Sequence, residues 1–381
     1  MTSTRVAPGW RVSLRNFTKD DVGPAFVPWL VARALVLAAL GLARYLFIEI
    51  GHGPRPHALA LGLFTRDAAF YRDIAESGYD SVGRAGLRFF PLVPVTARGL
   101  GTVLAGHDDI ALLLIANLSA LVFGALLHRL VLRETGDAAL ARRAVWFGSL
   151  LPPALVLVLG YAEATFLVFA VGMFLMLRRE QWGWAALLGV GAGLCRPVGI
   201  ILVVPAAVEA ARAWKSADLT NRFYRLLAVA GPVAGTAVFL AWVNATRGGW
   251  LLPFRIQQDP KLRGGFSDPI TSLLEAASDL KGDRVGSGLH LIWAFIFVAL
   301  IVVIARRLPS SYTAYAIAAV LLALTAQNLD SFERYGVTTF PIVIGAALVT
   351  QRRNVEAAAL MLAGGAMVGY GTLVFLGLYI P

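Results

Sequence analysis

Apolar runs as long as a bilayer is thick recur through this 381-residue chain, and that limits what it can fold into. About 20 apolar residues are needed to cross a membrane as a helix, and backbone exposed to lipid must satisfy its own hydrogen bonds. The runs are continuous rather than alternating, so a β-barrel does not fit them. Hydrophobic residues make up 58% and charged residues 15%, where soluble domains carry about 25% charge. The expected fold is an all-α polytopic membrane protein forming one transmembrane domain over residues 1–381.

The net charge of +11 would suggest nucleic acid in a soluble protein. Here the basic residues gather at the ends of apolar runs, the pattern of cytoplasmic loops, so no nucleic-acid partner is expected. One cysteine, Cys195, allows no intrachain disulfide. The five histidines have no metal-ligand spacing, so no metal site is expected, although the sequence does not rule out a divalent ion. The first apolar run lacks a small-residue cleavage site after it and is expected to stay as an anchor.

Arg5, Arg11, Arg15 and Lys19 put the N-terminus in the cytoplasm by the same rule. Spans are expected at Phe26–Phe47, Ile110–Leu132, Ala144–Tyr161, Thr165–Leu177, Phe223–Asn244, His290–Ala305, Tyr312–Asn328, Val337–Thr350 and Val355–Tyr379. Residues 182–214, interrupted by Arg196-Pro197, read as a broken pair of short helices with both ends on the cytoplasmic side, giving about ten or eleven membrane segments. Two long external loops follow, 49–109 and 246–287, and the first includes FFPLVP (Phe89–Pro94), expected as an interfacial helix. Gly189/Gly193 and Gly231/Gly235 have the spacing of close helix packing.

The loop after the first span reads FTRDAAFYRDIAESGYD (64–80), a density of acids, arginines and aromatics that is costly beside a bilayer unless it serves a site. As a helix, it puts Asp67 and Tyr71 on one face and Asp73 and Glu76 on another, facing water. Asp67 is then either a catalytic carboxylate or a helix N-cap, with Thr65 as rival cap. Glu163 either caps the helix starting at Ala164 or binds substrate, and Arg334 either pairs with Glu333 or Asp330 or binds phosphate. The topology brings these residues, with Arg196 and Tyr335, to one membrane face. A carboxylate can take a proton from a hydroxyl, arginines can neutralise a phosphate, and aromatics can stack on a sugar or isoprenoid. That set suits glycosyl transfer from a lipid-phosphate sugar, and the chain has no GxGxxG or P-loop for a soluble nucleotide.

The arrangement resembles the PIG-V type mannosyltransferases of the GT-C superfamily. The resemblance is carried by Asp67, Tyr71 and the IAESGY element (Ile74–Tyr79), FFPLVP (Phe89–Pro94), YAEATF (Tyr161–Phe166), CRPVG (Cys195–Gly199) and Glu333-Arg334-Tyr335. Arg66 stands where that family usually has tryptophan. The resemblance implies a GT-C fold, a polyprenyl-phosphate sugar donor with mannose the expected sugar, inversion, and Asp67 as base. Arg66, Tyr71, Arg72, Tyr79, Glu163, Arg196, Glu333, Arg334 and Tyr335 are the candidate substrate-binding residues. No cofactor is required, and the expected partners are the donor, a lipid or glycan acceptor and membrane lipid. Composition and length match a bacterial member, in the plasma membrane with its site on the periplasmic face. The rival reading is a transporter or flippase of a lipid-linked sugar, whose polar residues would lie near the midplane. A third reading is a non-catalytic scaffold.

Overall fold

The computed structural model describes residues 20–51, 53–260, 262–279 and 290–380. The basic N-terminal residues Arg5 to Lys19, Lys261 and the end of the second loop (280–287) lie outside them. The described chain is helical, and a single antiparallel bridge, Phe266 with Ala326, is its nearest approach to a sheet.

The helices are α1 (Val22–Ile50), α2 (His57–Leu61), α3 (Asp67–Ser77), α4 (Leu92–Val103), α5 (Asp108–Thr135) and α6 (Ala138–Leu150). Then come α7 (Glu163–Leu177), α8 (Trp182–Cys195), α9 (Val203–Ala211), α10 (Leu219–Arg247), α11 (Leu252–Gln257) and α12 (Pro269–Asp279). After residue 289 follow α13 (His290–Arg307), α14 (Ser310–Leu324), α15 (Phe332–Thr338), α16 (Phe340–Val349) and α17 (Arg353–Phe375). Five of them, α1, α5, α10, α13 and α17, are long and apolar enough to cross a membrane. Shorter apolar helices, α7, α8, α9, α14 and α16, pack among them. The chain is an all-α polytopic membrane protein.

Several expected spans are shortened or broken: that at Tyr312–Asn328 ends as a helix at Leu324, and that at Val337–Thr350 is split at Thr339. The span expected from Ala144 to Tyr161 breaks, because α6 ends at Leu150 and a 3-10 turn covers Pro152–Leu157. Pro152 and Pro153 donate no hydrogen bond, and a residue before proline is pushed out of the helical region; Leu151 has ψ 136°. The last span is α17, and the chain turns back after Phe375.

The segment around Arg196-Pro197 is a re-entrant hairpin of α8, a 3-10 turn (Pro197–Leu202) and α9. Both its ends meet the start of α10, where Arg225 stacks on Trp182 at 4.5 Å and donates to the Ala210 and Arg212 carbonyls. Its tip, with Arg196, points to the other end of the bundle. The glycine pairs fix this geometry. A Cβ at Gly193 would strike the Pro232 carbonyl, and one at Gly235 the Val190 carbonyl, so only glycine lets α8 and α10 touch backbone to backbone.

Both ends of the bundle carry ion pairs. At the basic end, Arg178 joins Glu134 (2.9 Å) and Glu209 (3.3 Å), tying α5, α7 and α9 together. Ser311 at the start of α14 bonds Glu209 as well. The first-loop residues, the starts of α5, α7 and α13, the hairpin tip and the end of α17 meet at the opposite end.

Candidate functional site

Asp67 is the first residue of α3, not its N-cap. The N-cap is Arg66, at φ 58° and ψ −126°, with the Ala68 N–H donating to the Thr65 carbonyl at 3.3 Å. This is the type II′ corner, where a position with φ above zero normally takes glycine. An arginine there stores about 1–3 kcal/mol of strain. Its guanidinium donates to the Gly377 and Tyr379 carbonyls (2.9 and 3.0 Å), which pins the corner to the segment after α17. Ser331, which precedes α15, is also at positive φ, 67°. Both helices that bear the central ion pair thus start from strained residues.

That pair is Asp67 with Arg334, 2.6 Å from Oδ2 to Nη1. The same Nη1 lies 3.4 Å from Glu163, whose other neighbour is Arg196 at 3.0 Å. Four charges from α3, α7, the hairpin tip and α15 therefore form one chain. The Asp67 N–H donates to the Tyr161 hydroxyl at 3.3 Å, and the Tyr161 ring lies under the Arg334 guanidinium at 5.7 Å. The Glu163 side chain is 2% exposed and that of Arg196 9%, while Asp67 keeps 30%. The chain is thus buried at its root and open at Asp67. Burial pushes the Asp67 carboxyl up, but Arg334, aided by Arg88 and Arg196, more than offsets this and holds it below the usual carboxylate range.

Several polar atoms around this chain lack partners. They include Arg196 Nη1, Arg334 Nε, Arg66 Nε, Arg263 Nε and Thr65 Oγ1. Buried donors are almost always satisfied, so these N–H groups can donate to further oxygens.

The other candidate residues divide. Tyr71 is buried on the Asp67 face of α3, edge-on to Phe89 at 5.1 Å. Arg72 turns outward instead, to Asp73 (2.9 Å) and Glu76 (3.8 Å), at the solvated surface expected for those acids. Tyr79 does not join the ion chain: its hydroxyl donates to the Phe89 carbonyl at 2.7 Å and its ring packs on Trp242. Glu163 begins α7 but serves as a bridge between two arginines rather than as an N-cap. Arg334 pairs with neither Glu333 nor Asp330, because successive residues on α15 point apart. Glu333 faces His290 (2.6 Å) and the Tyr379 hydroxyl. The Tyr335 hydroxyl accepts from Arg263 at 2.9 Å, with the guanidinium 4.7 Å above its ring. Arg263 reaches it because residues 263–267 run against 325–328, held by Ser267 N–H to Thr325 and Asn328 N–H to Arg263 (3.0 and 2.9 Å).

Sequence reasoning did not select Arg88, Arg263, His290 or Tyr379, and it used Tyr161 only as the first residue of the YAEATF motif. The signal for Arg88 was present: a basic residue directly before two aromatics, Phe89 and Phe90, in the loop that carries the carboxylate. His290 and Tyr379 gave no comparable signal, since each stands alone at the end of an apolar run. Among the described residues no three His, Cys, Asp or Glu side chains gather as metal ligands. A cleft of about 650 Å³, lined by Glu180, Trp182, Trp184, Asp218 and Tyr224, lies at the basic end, away from every candidate residue. Asp218 there caps α10. Compared with known proteins, the chain matches no family model and no curated protein.

Proposed function

We propose that the chain is a PIG-V-like, GT-C type membrane glycosyltransferase. It moves a sugar, with mannose the expected one, from a polyprenyl-phosphate donor to a lipid or glycan acceptor with inversion. It works at the periplasmic face of a bacterial plasma membrane, with its N-terminus in the cytoplasm. The observation that carries this reading is the ion chain Asp67–Arg334–Glu163–Arg196, open at its carboxylate and edged by N–H groups without partners.

In this mechanism the acceptor hydroxyl binds at the exposed edge of Asp67. Its oxygen attacks the anomeric carbon from the side opposite the phosphate. The bond from that carbon to the phosphate oxygen breaks, and the electron pair leaves with the polyprenyl phosphate. The hydroxyl proton passes to Asp67. Arg334 keeps Asp67 ionised but makes it a weak base, so proton transfer comes late, once the new bond has acidified the hydroxyl. The unused N–H groups of Arg196 and Arg334 give hydrogen bonds to the phosphate oxygens.

The test is transfer by purified protein from radiolabelled polyprenyl-phosphate-mannose to a lipid extract. The wild type transfers, and Asp67→Asn lowers the rate about 10²–10⁴-fold. Equal rates would remove the base. The break at Arg196, on a re-entrant hairpin, is a feature that transporters share. A wild type that moves no sugar from any lipid phosphate, yet carries one across vesicles, would turn the reading to transport.

A further inference from the structure

The ion chain is electrically complete without substrate. Its two carboxylates, Asp67 and Glu163, meet two guanidiniums, Arg334 and Arg196. These arginines can offer hydrogen bonds to an arriving anion, but their charge is already matched. A phosphate brought beside Asp67 needs a cation of its own, or it meets the repulsion of that carboxylate.

Arg88 is placed to be that cation. It ends the short 3-10 helix Arg84–Arg88, directly before Phe89, whose ring packs against Phe70 and Tyr71 of α3. Its guanidinium lies over the Phe89 ring at 5.0 Å and the Phe70 ring at 5.6 Å. Those two rings stack on each other at 4.7 Å and form a rigid support. Among the described residues, its one hydrogen bond to protein runs from Nε to the Ala85 carbonyl, 3.2 Å, and both terminal Nη groups have no protein acceptor. The other arginines at this end differ. Arg66 holds two carbonyls, Arg263 holds Tyr335 and the Ala323 carbonyl, and Arg72 is taken up by Asp73 and Glu76. Arg88 is near enough to Asp67 and Arg334 to act on both electrostatically. A guanidinium fixed by its flat face and stem, with its fork open, is the arrangement that binds phosphate in two-pronged fashion.

We infer that Arg88 is the residue that recognises the charge of the donor phosphate, and that Arg334 and Arg196 remain matched to Asp67 and Glu163 when the donor binds. This rests on the reading of the site given above and names the residue that sets its preference for a phosphorylated lipid. It also turns the charged side of the phosphate toward α3, next to Phe70 and Phe89, and leaves its other oxygens to the N–H groups of Arg334 and Arg196.

Equilibrium binding of farnesyl phosphate and of farnesol to the full chain in phosphatidylcholine nanodiscs tests this. The wild type prefers the phosphate. Arg88→Gln reduces that preference about tenfold, the loss of one charge-assisted contact, and leaves farnesol affinity unchanged, which also reports an intact fold. Arg88→Met keeps the stem over the rings and is expected to give the same loss. Arg72→Gln, which removes a neighbouring surface charge, leaves the preference unchanged. Full preference in either folded Arg88 variant, or an equal loss in Arg72→Gln, overturns the assignment while the reading of the site stands. A wild type with no preference for the phosphate overturns both.

Discussion

The two ends of the bundle use the same residue types for different ends. At the basic end, all three guanidinium nitrogens of Arg178 donate to Glu134 or Glu209, and Ser311 adds a further bond to Glu209. Both carboxylates are buried there, 7% and 5% exposed. At the other end, Arg334 and Arg196 keep unpartnered N–H groups, and Asp67 is open to water. The difference lies in the arginines: each Arg178 guanidinium nitrogen has a carboxylate partner, whereas Arg334 Nε and Arg196 Nη1 have none. The saturated cluster ties helices together; the other, with its exposed carboxylate, leaves N–H groups free to take up further oxygens.

The sharpest way to break this contrast is to change one charge at each end. Asp67→Asn is expected to abolish nearly all transfer, about 10²–10⁴-fold, with little change in the melting temperature measured in detergent. Arg178→Ala is expected to do the reverse. It leaves buried Glu134 without its cation and Glu209 with only Arg212, and costs about 3–5 kcal/mol of stability, while the rate per folded molecule stays at the wild-type value. If Arg178→Ala lowered the rate as much as Asp67→Asn, the two clusters would not differ in kind.

A smaller effect tests the scaffold that carries Arg196. Gly235→Leu forces α10 away from the Val190 carbonyl of α8. The expected loss is about 1–3 kcal/mol, read as a lower melting temperature, and transfer falls only as far as the hairpin tip moves.

The pH profile sharpens the reading of the ion pair. Asp67 has its folded value depressed by Arg334. The stability it contributes is therefore complete above the unfolded value of about 3.9 and is lost as pH falls through the lower folded value. The acid limb of transfer should lie below about pH 4, and Arg334→Gln should move it upward. An acid limb that stays put in Arg334→Gln would show that Arg334 does not set the carboxyl. The least effect is expected at the solvated face of α3. Asp73→Asn, at a side chain 42% exposed, should change stability by less than about 0.5 kcal/mol and leave transfer alone.

Much of the helix framework was legible because it depends on one-dimensional quantities. The length of an apolar run fixes whether it can span, and α1, α5 and α10 lie within a few residues of their expected limits. The re-entrant hairpin followed from proline at 197 and the cations flanking the segment. The helix spacing that separated Asp67 and Tyr71 from Asp73 and Glu76 also held, because a period of 3.6 residues is local. The break at Pro152-Pro153 is not legible from hydropathy, which does not register a missing N–H.

Partner choice was a different matter. Nothing in the spacing of Ser-Phe-Glu-Arg-Tyr (331–335) says that Glu333 turns to His290 while Arg334 crosses to Asp67, 267 positions earlier. Nor does the sequence distinguish Arg72, taken up by its neighbours, from Arg88, left open over two rings. Composition and periodicity determined which segments are helices, which are apolar enough for the membrane and which residues could carry charge to one end. Only the tertiary structure decided which of those charges neutralise one another and which remain available. Ion pairing depends on distance in space, and the packing of α3, α7, α15 and the hairpin tip sets that distance.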